Sequence, residues 1–138
     1  MSIPAALGIV GVVAALLAAA LHVLIFWLKV FAWEGPLARS IFGGTAQEAR
    51  LHSFYAYNQG CYNLFLAIGA VLGAVLIAAS KGSSTAGFAL SLFSTASMLG
   101  AALALAAKSS KHREAAAKQG LFPLIAVCCL GLALVPAL

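Results

Sequence analysis

Acidic residues are scarce in this 138-residue chain, which has three glutamates and no aspartate. A serine, histidine and aspartate triad is therefore excluded. The chain also lacks a His-x-x-x-His pair and any run of carboxylates, so we expect no metal site. A general acid or base could only be His22, His52, Glu34 or a tyrosine, and these alone identify no catalytic residue.

Cysteine is rare as well. Cys61, Cys128 and Cys129 all fall inside apolar stretches, where a free cysteine ordinarily acts as a small buried hydrophobe. Adjacent residues of a helix point to different faces, so Cys128 and Cys129 support neither a metal site nor a disulfide framework.

Charge of either sign is also limited. Only 8% of the residues are charged, 64% are hydrophobic, and the mean hydropathy is +1.07, far above that of soluble domains. We therefore predict an all-α, polytopic membrane protein, a four-helix transmembrane bundle that forms a single domain over residues 1–138. The predicted spans cover about 4–33, 51–79, 86–107 and 119–135.

Two local patterns set the first boundaries. Glu34-Gly35-Pro36 ends the first helix, because proline disfavours helical geometry in the residue before it, and a loop to Gly44 is expected to follow. Thr45 and Glu48 have the spacing of a capping box, which predicts a second helix that starts near Thr45 and continues to Ala79.

The net charge of +5 comes from basic residues near the ends of the spans. Without interleaved aromatic residues outside the spans, it gives no reason to expect nucleic acid binding. Seven basic residues lie on or near the first and third connections, and only Lys81 lies on the second. Under the positive-inside rule, loops 34–50 and 108–118 are predicted to be cytoplasmic, with both termini outside.

Polar residues are concentrated where the second span begins, in the string HSFYAYNQGCYN from His52 to Asn63. Counting along antiparallel helices at equal rise places His22 level with Tyr62 and Asn63, and Lys29 level with Tyr55. We expect the two polar stripes to face each other across the bundle interior. Near the same end, Gln119 opens the fourth span, and Pro123 cannot donate to its carbonyl.

The candidate ligand-binding residues are polar side chains predicted to converge in this half of the bundle: His22, Lys29, Tyr55, Asn58, Gln59, Tyr62, Asn63 and Gln119. Each also has a structural interpretation. Lys29 is close enough to the helix end to snorkel, and His22 could simply bond to Asn63 or Tyr62. Tyr55 could be an interfacial belt residue, and the amides could hold helices together.

Small residues suggest where helices touch. Gly69 and Gly73 form a GxxxG pattern on the second span, which allows backbones to approach closely. The pattern fits packing within the bundle or a contact between subunits, so a homo-oligomer is one of the expected partners, beside the lipid bilayer and a small polar ligand.

Several of these residues together resemble a known family. They are His22-Val-Leu-Ile-Phe, Trp33, the string from Asn58 to Ala67 that reads NQGCYNLFLA, and Gln119-Gly120 with a proline nearby. The chain resembles, over nearly its whole length, the bacterial family of domain of unknown function 1304. The resemblance implies a compact four-span membrane protein and no particular activity. Lys29 stands where that family is expected to have a glutamate.

Three functions remain open on the sequence alone. The first is binding or passage of a small polar or anionic solute at the polar cluster. The second is a membrane enzyme that acts on a lipophilic substrate with a thiol cofactor such as glutathione, held by a basic rim of Arg39, Arg50, Lys111 and Arg113. The third is a structural accessory subunit. The sequence assigns no cofactor.

Overall fold

The computed structural model describes residues 1–135, and within that range the chain is built from helices without strands. Four helices are long and apolar enough to cross a membrane. The all-α bundle predicted from composition is therefore confirmed. The helices are α1 (Ile3–Phe31), α2 (Pro36–Phe42), α3 (Ala46–Leu51), α4 (Ser53–Ala79), α5 (Thr85–Lys108) and α6 (Arg113–Leu134), with a short 3-10 helix (Ser110–His112) before α6.

The four long helices form a closed ring in which each packs against two neighbours. α1 lies between α4 and α6, and α5 completes the ring opposite α1. The centre is filled by small side chains: Ala15, Ala18 and Ala70 are fully buried, as is the larger Met98. Small residues let backbones approach, which is how helices associate where lipid removes the hydrophobic driving force.

The GxxxG pair packs inside this ring. A Cβ atom on Gly69 would collide with the Ser94 hydroxyl, and one on Gly73 would collide with Ser91 and come within 2.8 Å of the Gly87 carbonyl. Both glycines therefore face α5. We call this contact the α4–α5 seam, defined by Gly69, Gly73, Gly87, Ser91 and Ser94.

Two helical boundaries differ from the prediction. The fourth long helix begins at Arg113, six residues before Gln119, and a short helix, α2, occupies the segment expected to be a loop. The first turns of α6 read REAAAK, a stretch of strong helix formers with a Glu114 to Lys118 ion pair of 2.6 Å. Because three of these six residues are charged, a search for apolar runs does not detect this first part of α6. α2 begins with Pro36, a residue favoured at the first helical position.

The helix predicted to start at Thr45 does start there, but it does not continue unbroken. The capping box is present: the Thr45 amide donates to Glu48 Oε2 at 2.7 Å, and the Glu48 amide donates to Thr45 Oγ1 at 3.2 Å. At His52 the backbone leaves helical geometry, with φ −100° and ψ 6°, which separates α3 from α4. The chain thus enters the membrane as α4 and not as a continuation of α3.

Candidate functional site

Some of the polar side chains predicted from the sequence meet at one end of the bundle, which we call the loop end. It contains the last turn of α1, the short helices α2 and α3, the first turns of α4, and the connection from α5 to α6. Trp33, in the turn after α1, donates from Nε1 to the Ala49 carbonyl at 2.7 Å. This bond ties the turn to α3, so the connection folds back over the bundle.

Lys29 joins three of these elements. Its Nζ donates to Gln59 Oε1 on α4 at 2.8 Å, and it lies 5.0 Å from the centre of the Trp33 ring and 4.8 Å from that of Phe42. Aromatic faces attract a cation within about 6 Å of the ring centre. The ammonium is therefore held by one amide oxygen and two rings, which replace some of the water it would have at the surface.

The bond to Lys29 determines how Gln59 is oriented. An ammonium has only hydrogens to offer, so the Gln59 oxygen must point towards Lys29. The NH₂ group of the same amide then points elsewhere, with two hydrogens to donate. Gln59 also lines a cavity together with Phe42 and Trp33, and its NH₂ group makes no hydrogen bond within residues 1–135.

This cavity, the loop pocket, has a volume of about 430 Å³. Small-molecule sites commonly fall between about 300 and 1,000 Å³. Its walls combine two aromatic rings, two histidines, a tyrosine, an amide and a lysine. The lining residues are Trp33, Phe42, Gly43, Gly44, Glu48, Ala49, His52, Tyr55, Ala56, Gln59, Lys111 and His112.

Glu48 supplies the carboxylate of the loop pocket, and it is engaged by the capping box. Hydrogen bonds from the Thr45 amide and hydroxyl lower the pKa of Glu48, and the positive charges of His52 and Lys111 lower it further. Glu48 is therefore ionised near neutral pH, with one oxygen accepting both bonds from Thr45. This carboxylate offsets part of the positive charge around the pocket.

A second cavity, the α1–α6 groove, lies beside the loop pocket and has a volume of about 520 Å³. Four residues line both cavities, namely Phe42, Gly43, Lys111 and His112. The remaining walls of the groove are mostly apolar on α1 and polar or charged on α6. They comprise Leu21, Leu24, Ile25, Leu28, Ser40, Ile41, Glu114, Ala115, Lys118 and Gln119.

His22 lies away from both cavities, in the bundle interior, and is 1% exposed. Its Nδ1 is 2.9 Å from the Ala18 carbonyl, an atom that can only accept. Nδ1 therefore carries the proton, and in the neutral ring Nε2 is an acceptor. Within residues 1–135, His22 has no hydrogen bond to Asn63, whose amide donates to the Gln59 backbone carbonyl at 2.6 Å.

The structure brings together only part of the predicted cluster. Lys29 and Gln59 are in contact, and Tyr55 lines the loop pocket with Gln59. Asn58 and Tyr62 are exposed on the outer surface of α4, where the Tyr62 ring meets Phe65 edge-on. Gln119 lines the α1–α6 groove, and His22 lies in the bundle interior. Lys29 lines neither the loop pocket nor the groove but a separate cavity that includes Trp33 and Tyr57, and Asn63 is half-buried on α4.

A third cavity, of about 460 Å³, lies at the opposite end of the bundle, between the first turns of α1 and the turn after α4. Its lining is largely aliphatic, and within the described part of the chain Lys81 is the only charged residue in it. The fully buried alanines at positions 15 and 18 lie between this cavity and the loop end.

A family model, described as protein of unknown function (DUF1304), matches residues 16–131. The chain belongs to this DUF1304 family. No curated protein and no solved structure matches the chain. The matched stretch contains every lining residue of the loop pocket and of the α1–α6 groove. All of the α1 residues that line the third cavity, from Pro4 to Val13, precede that stretch.

Sequence reasoning on this DUF1304 chain missed Phe42, Lys111 and His112 as lining residues. The sequence indicates a topology signal in the stretch that contains Lys111 and His112 and a basic rim for a thiol cofactor that includes Lys111, and it places Phe42 in the expected loop. The sequence feature that could have indicated the position of Phe42 is the adjacent glycine pair that follows it. In the structure, Gly43 and Gly44 have φ values of +80° and +97°. Adjacent glycines allow such a reversal, which folds Phe42 back towards Lys29.

Proposed function

We propose that this DUF1304 protein binds a small polar or anionic solute in the loop pocket. The observation that carries the proposal is the Lys29 to Gln59 hydrogen bond of 2.8 Å, which leaves the Gln59 NH₂ group free to donate. Lys111 adds further donors to the same walls. A pocket rich in donors favours a ligand rich in acceptors, such as a carboxylate or a phosphate.

The charges around the loop pocket favour the same class of ligand. Lys111 lies in the lining, and Lys29 lies behind Gln59, so two cations face one carboxylate, Glu48. Since Glu48 already accepts two hydrogen bonds from Thr45, it competes weakly for the donors of the pocket.

The packing of the bundle supports binding over passage. Between the loop end and the third cavity, the centre of the ring is filled by buried side chains, among them Ala18, Ala70 and Met98, each with no exposed surface. A pathway through the ring would require these helices to separate. We therefore place the ligand at the membrane surface and infer no channel.

The loop end, in this proposal, faces the cytoplasm of a bacterial inner membrane, with both termini outside. Seven of the eight basic residues lie at this end, and such residues are enriched on the cytoplasmic side. Fusions of alkaline phosphatase and of green fluorescent protein to the C-terminus in a bacterial host test it. An active phosphatase with a dark fluorescent protein is expected, and the opposite pattern would reverse the orientation.

Fluorescence of Trp33 offers a direct test of ligand binding. The chain has two tryptophans, so Trp27→Phe leaves only Trp33, which lines the pocket. In detergent, titration with inorganic phosphate should change the emission of this variant and saturate. Adding Gln59→Leu should weaken the apparent affinity about tenfold, the equivalent of about 1.4 kcal/mol.

Asn58→Leu is the matched control, because Asn58 has the same kind of side chain and lies one residue away on the outer surface of α4. It should bind phosphate as the parent does. If Gln59→Leu and Asn58→Leu behave alike, or if phosphate, acetate and pyrophosphate all leave Trp33 unchanged, the loop pocket is not an anion site.

One observation favours a second candidate, a membrane enzyme that uses a thiol cofactor. The loop pocket and the largely apolar α1–α6 groove share Phe42, Gly43, Lys111 and His112. A water-soluble cofactor and a lipophilic substrate could therefore meet there. Saturable quenching of Trp33 by glutathione, stronger than by phosphate, would favour the enzyme, and no effect at millimolar glutathione would count against it. An accessory role stays a prediction.

A further inference from the structure

The α1–α6 groove combines an apolar wall with a charged mouth. Leu21, Leu24, Ile25 and Leu28 occur at helical spacing on one face of α1, and they extend for about 10 Å along the helix axis. Leu24 is 48% exposed and Ile41 is 46% exposed. Leu24 belongs to a helix long and apolar enough to span a membrane, where a half-exposed aliphatic side chain meets lipid, and Ile41 belongs to the short helix α2 at the loop end. On the α1 side the groove is therefore open to the hydrocarbon of the bilayer.

The charges lie at the loop end of the groove. Lys111, Glu114 and Lys118 line this end, and Glu114 accepts a hydrogen bond from Lys118 at 2.6 Å. Over residues 1–135, Lys111 makes no ion pair. The mouth therefore carries one positive charge in excess, and His112 and Gln119 add polar atoms beside it.

We propose that the α1–α6 groove binds one anionic phospholipid, with an acyl chain along α1 and its phosphate between Lys111 and Lys118. Basic pockets between membrane helices are suited to anionic headgroups. A free anion would make no apolar contact with the aliphatic wall. A second copy of this chain would bring the same positive charge to the mouth, where the two charges would repel. The groove and the loop pocket share Lys111, so a lipid phosphate in the groove and an anion in the loop pocket would both interact with the same ammonium group.

Native mass spectrometry of the full chain, released from detergent, tests this binding. The protein is equilibrated with dioleoylphosphatidylglycerol or with dioleoylphosphatidylcholine, which have the same acyl chains and different headgroup charge. We expect one retained phosphatidylglycerol and weaker retention of phosphatidylcholine. Equal retention of the two lipids would overturn the proposal.

Two charge variants should shift the binding in opposite directions. Lys118→Gln leaves Glu114 unopposed at the mouth and should weaken phosphatidylglycerol binding about fivefold, whereas Glu114→Gln frees Lys118 and should strengthen it by a similar factor. Both side chains are largely exposed, so both variants should fold. Lys108→Gln, at the same end but outside the groove lining, is the control.

Leu21→Trp should fill the apolar part of the groove and release the lipid, while Leu103→Trp, on the exposed surface of α5, should not. Lipid retained by Leu21→Trp would contradict the proposal. So would a dimer that is lost in Leu21→Trp without any change in lipid binding, because a second copy would then be the occupant. If Leu21→Trp does not fold, the Lys118→Gln and Glu114→Gln variants test whether the groove binds an anionic lipid.

Discussion

The α4–α5 seam and the loop end are packed with side chains of very different size. In the seam, glycine and serine bring two helices so close that no Cβ fits at Gly73. At the loop end, Lys29, Trp33 and Phe42 are large, and space remains beside them as the loop pocket. Small side chains thus close one part of the bundle, and large ones hold another part open.

This difference shows where the molecule tolerates change. Close backbone contact in the seam leaves few side-chain atoms to adjust, so an added methyl group must move a helix. The loop end is held by individual bonds, such as Lys29 to Gln59 and Trp33 to Ala49, that can be removed one at a time. We therefore expect stability to depend on the seam and ligand binding to depend on the loop end.

The largest effect is expected from Gly73→Ala. Its new methyl group would meet backbone atoms, the Ser91 nitrogen at 2.6 Å and the Gly87 oxygen at 2.8 Å, so α4 and α5 must separate. The free energy of unfolding in detergent should fall by about 2 to 3 kcal/mol. Gly100→Ala is the control, since nothing lies within 4 Å of its Cβ position. Equal stability of the two variants would show that the seam is not tightly packed.

Lys29→Met should come next, and its main effect should be on the loop pocket. Without the ammonium, the Gln59 amide loses the partner that orients it, and the pocket loses a nearby positive charge. Phosphate affinity, followed by Trp33 emission, should fall about tenfold. Lys108→Met removes an exposed charge from the same end and should leave the affinity nearly unchanged. If both variants weaken binding equally, only the overall charge matters.

Removal of the helix cap by Thr45→Ala should have a smaller effect, confined to α3. The Glu48 amide loses its acceptor, Thr45 Oγ1, and exchange of the α3 amides with solvent should accelerate about fivefold. Ser40→Ala, which removes a hydroxyl bonded only to the Leu37 carbonyl, should not affect α3. Unchanged exchange in Thr45→Ala would mean that α3 is held by Trp33 and not by its cap.

The same cap should respond to acid. The pKa of Glu48 is lowered from its ordinary value of about 4.5 in the folded chain, so its contribution is complete above that value. The contribution is lost as the pH falls through the lower, folded value. Protection of the α3 amides, corrected for intrinsic exchange, should therefore drop in that range in the parent. Glu48→Gln should remove this dependence, and a drop that persists would have another origin.

The smallest effect is expected for Glu34→Gln. The Arg50 to Glu34 pair measures 3.5 Å, and its side chains are 80% and 50% exposed, so water and salt screen it. The free energy of unfolding should change by about 0.2 to 0.5 kcal/mol, and the change should vanish at high salt. A loss above about 1 kcal/mol would show that this turn contributes more to stability than the exposed pair suggests.

Composition was enough to predict the four helices, since a chain this apolar must satisfy its backbone groups within helices. The capping box at Thr45 was equally local, because both partners lie within four residues. The start of α6 was missed because REAAAK is helical through propensity and an ion pair, without an apolar face. Equal depth on antiparallel helices placed Lys29 level with Tyr55, whereas its hydrogen bond is to Gln59, one turn further along α4.

The rest of the candidate site depends on rotation about the helix axes, which sequence spacing does not fix. Depth placed Tyr62 beside His22, yet Tyr62 faces outwards and is 60% exposed, while His22 is buried. The position of Gly60 explains this: its Cα faces α1 so closely that a Cβ would lie 2.7 Å from Val30. The face of α4 that contains Gly60 therefore contacts α1, and the larger polar residues near Gly60 lie on the other faces of α4.

The wall formed by Phe42, Gly43, Lys111 and His112 separates the loop pocket from the α1–α6 groove, and each compartment uses it. A ligand that displaces this wall in one compartment changes the shape of the other. Thermodynamic linkage then requires reciprocity: the factor by which the first ligand alters the affinity for the second equals the factor in the reverse direction. The composition of the membrane would thereby become an effector of a site that opens to water.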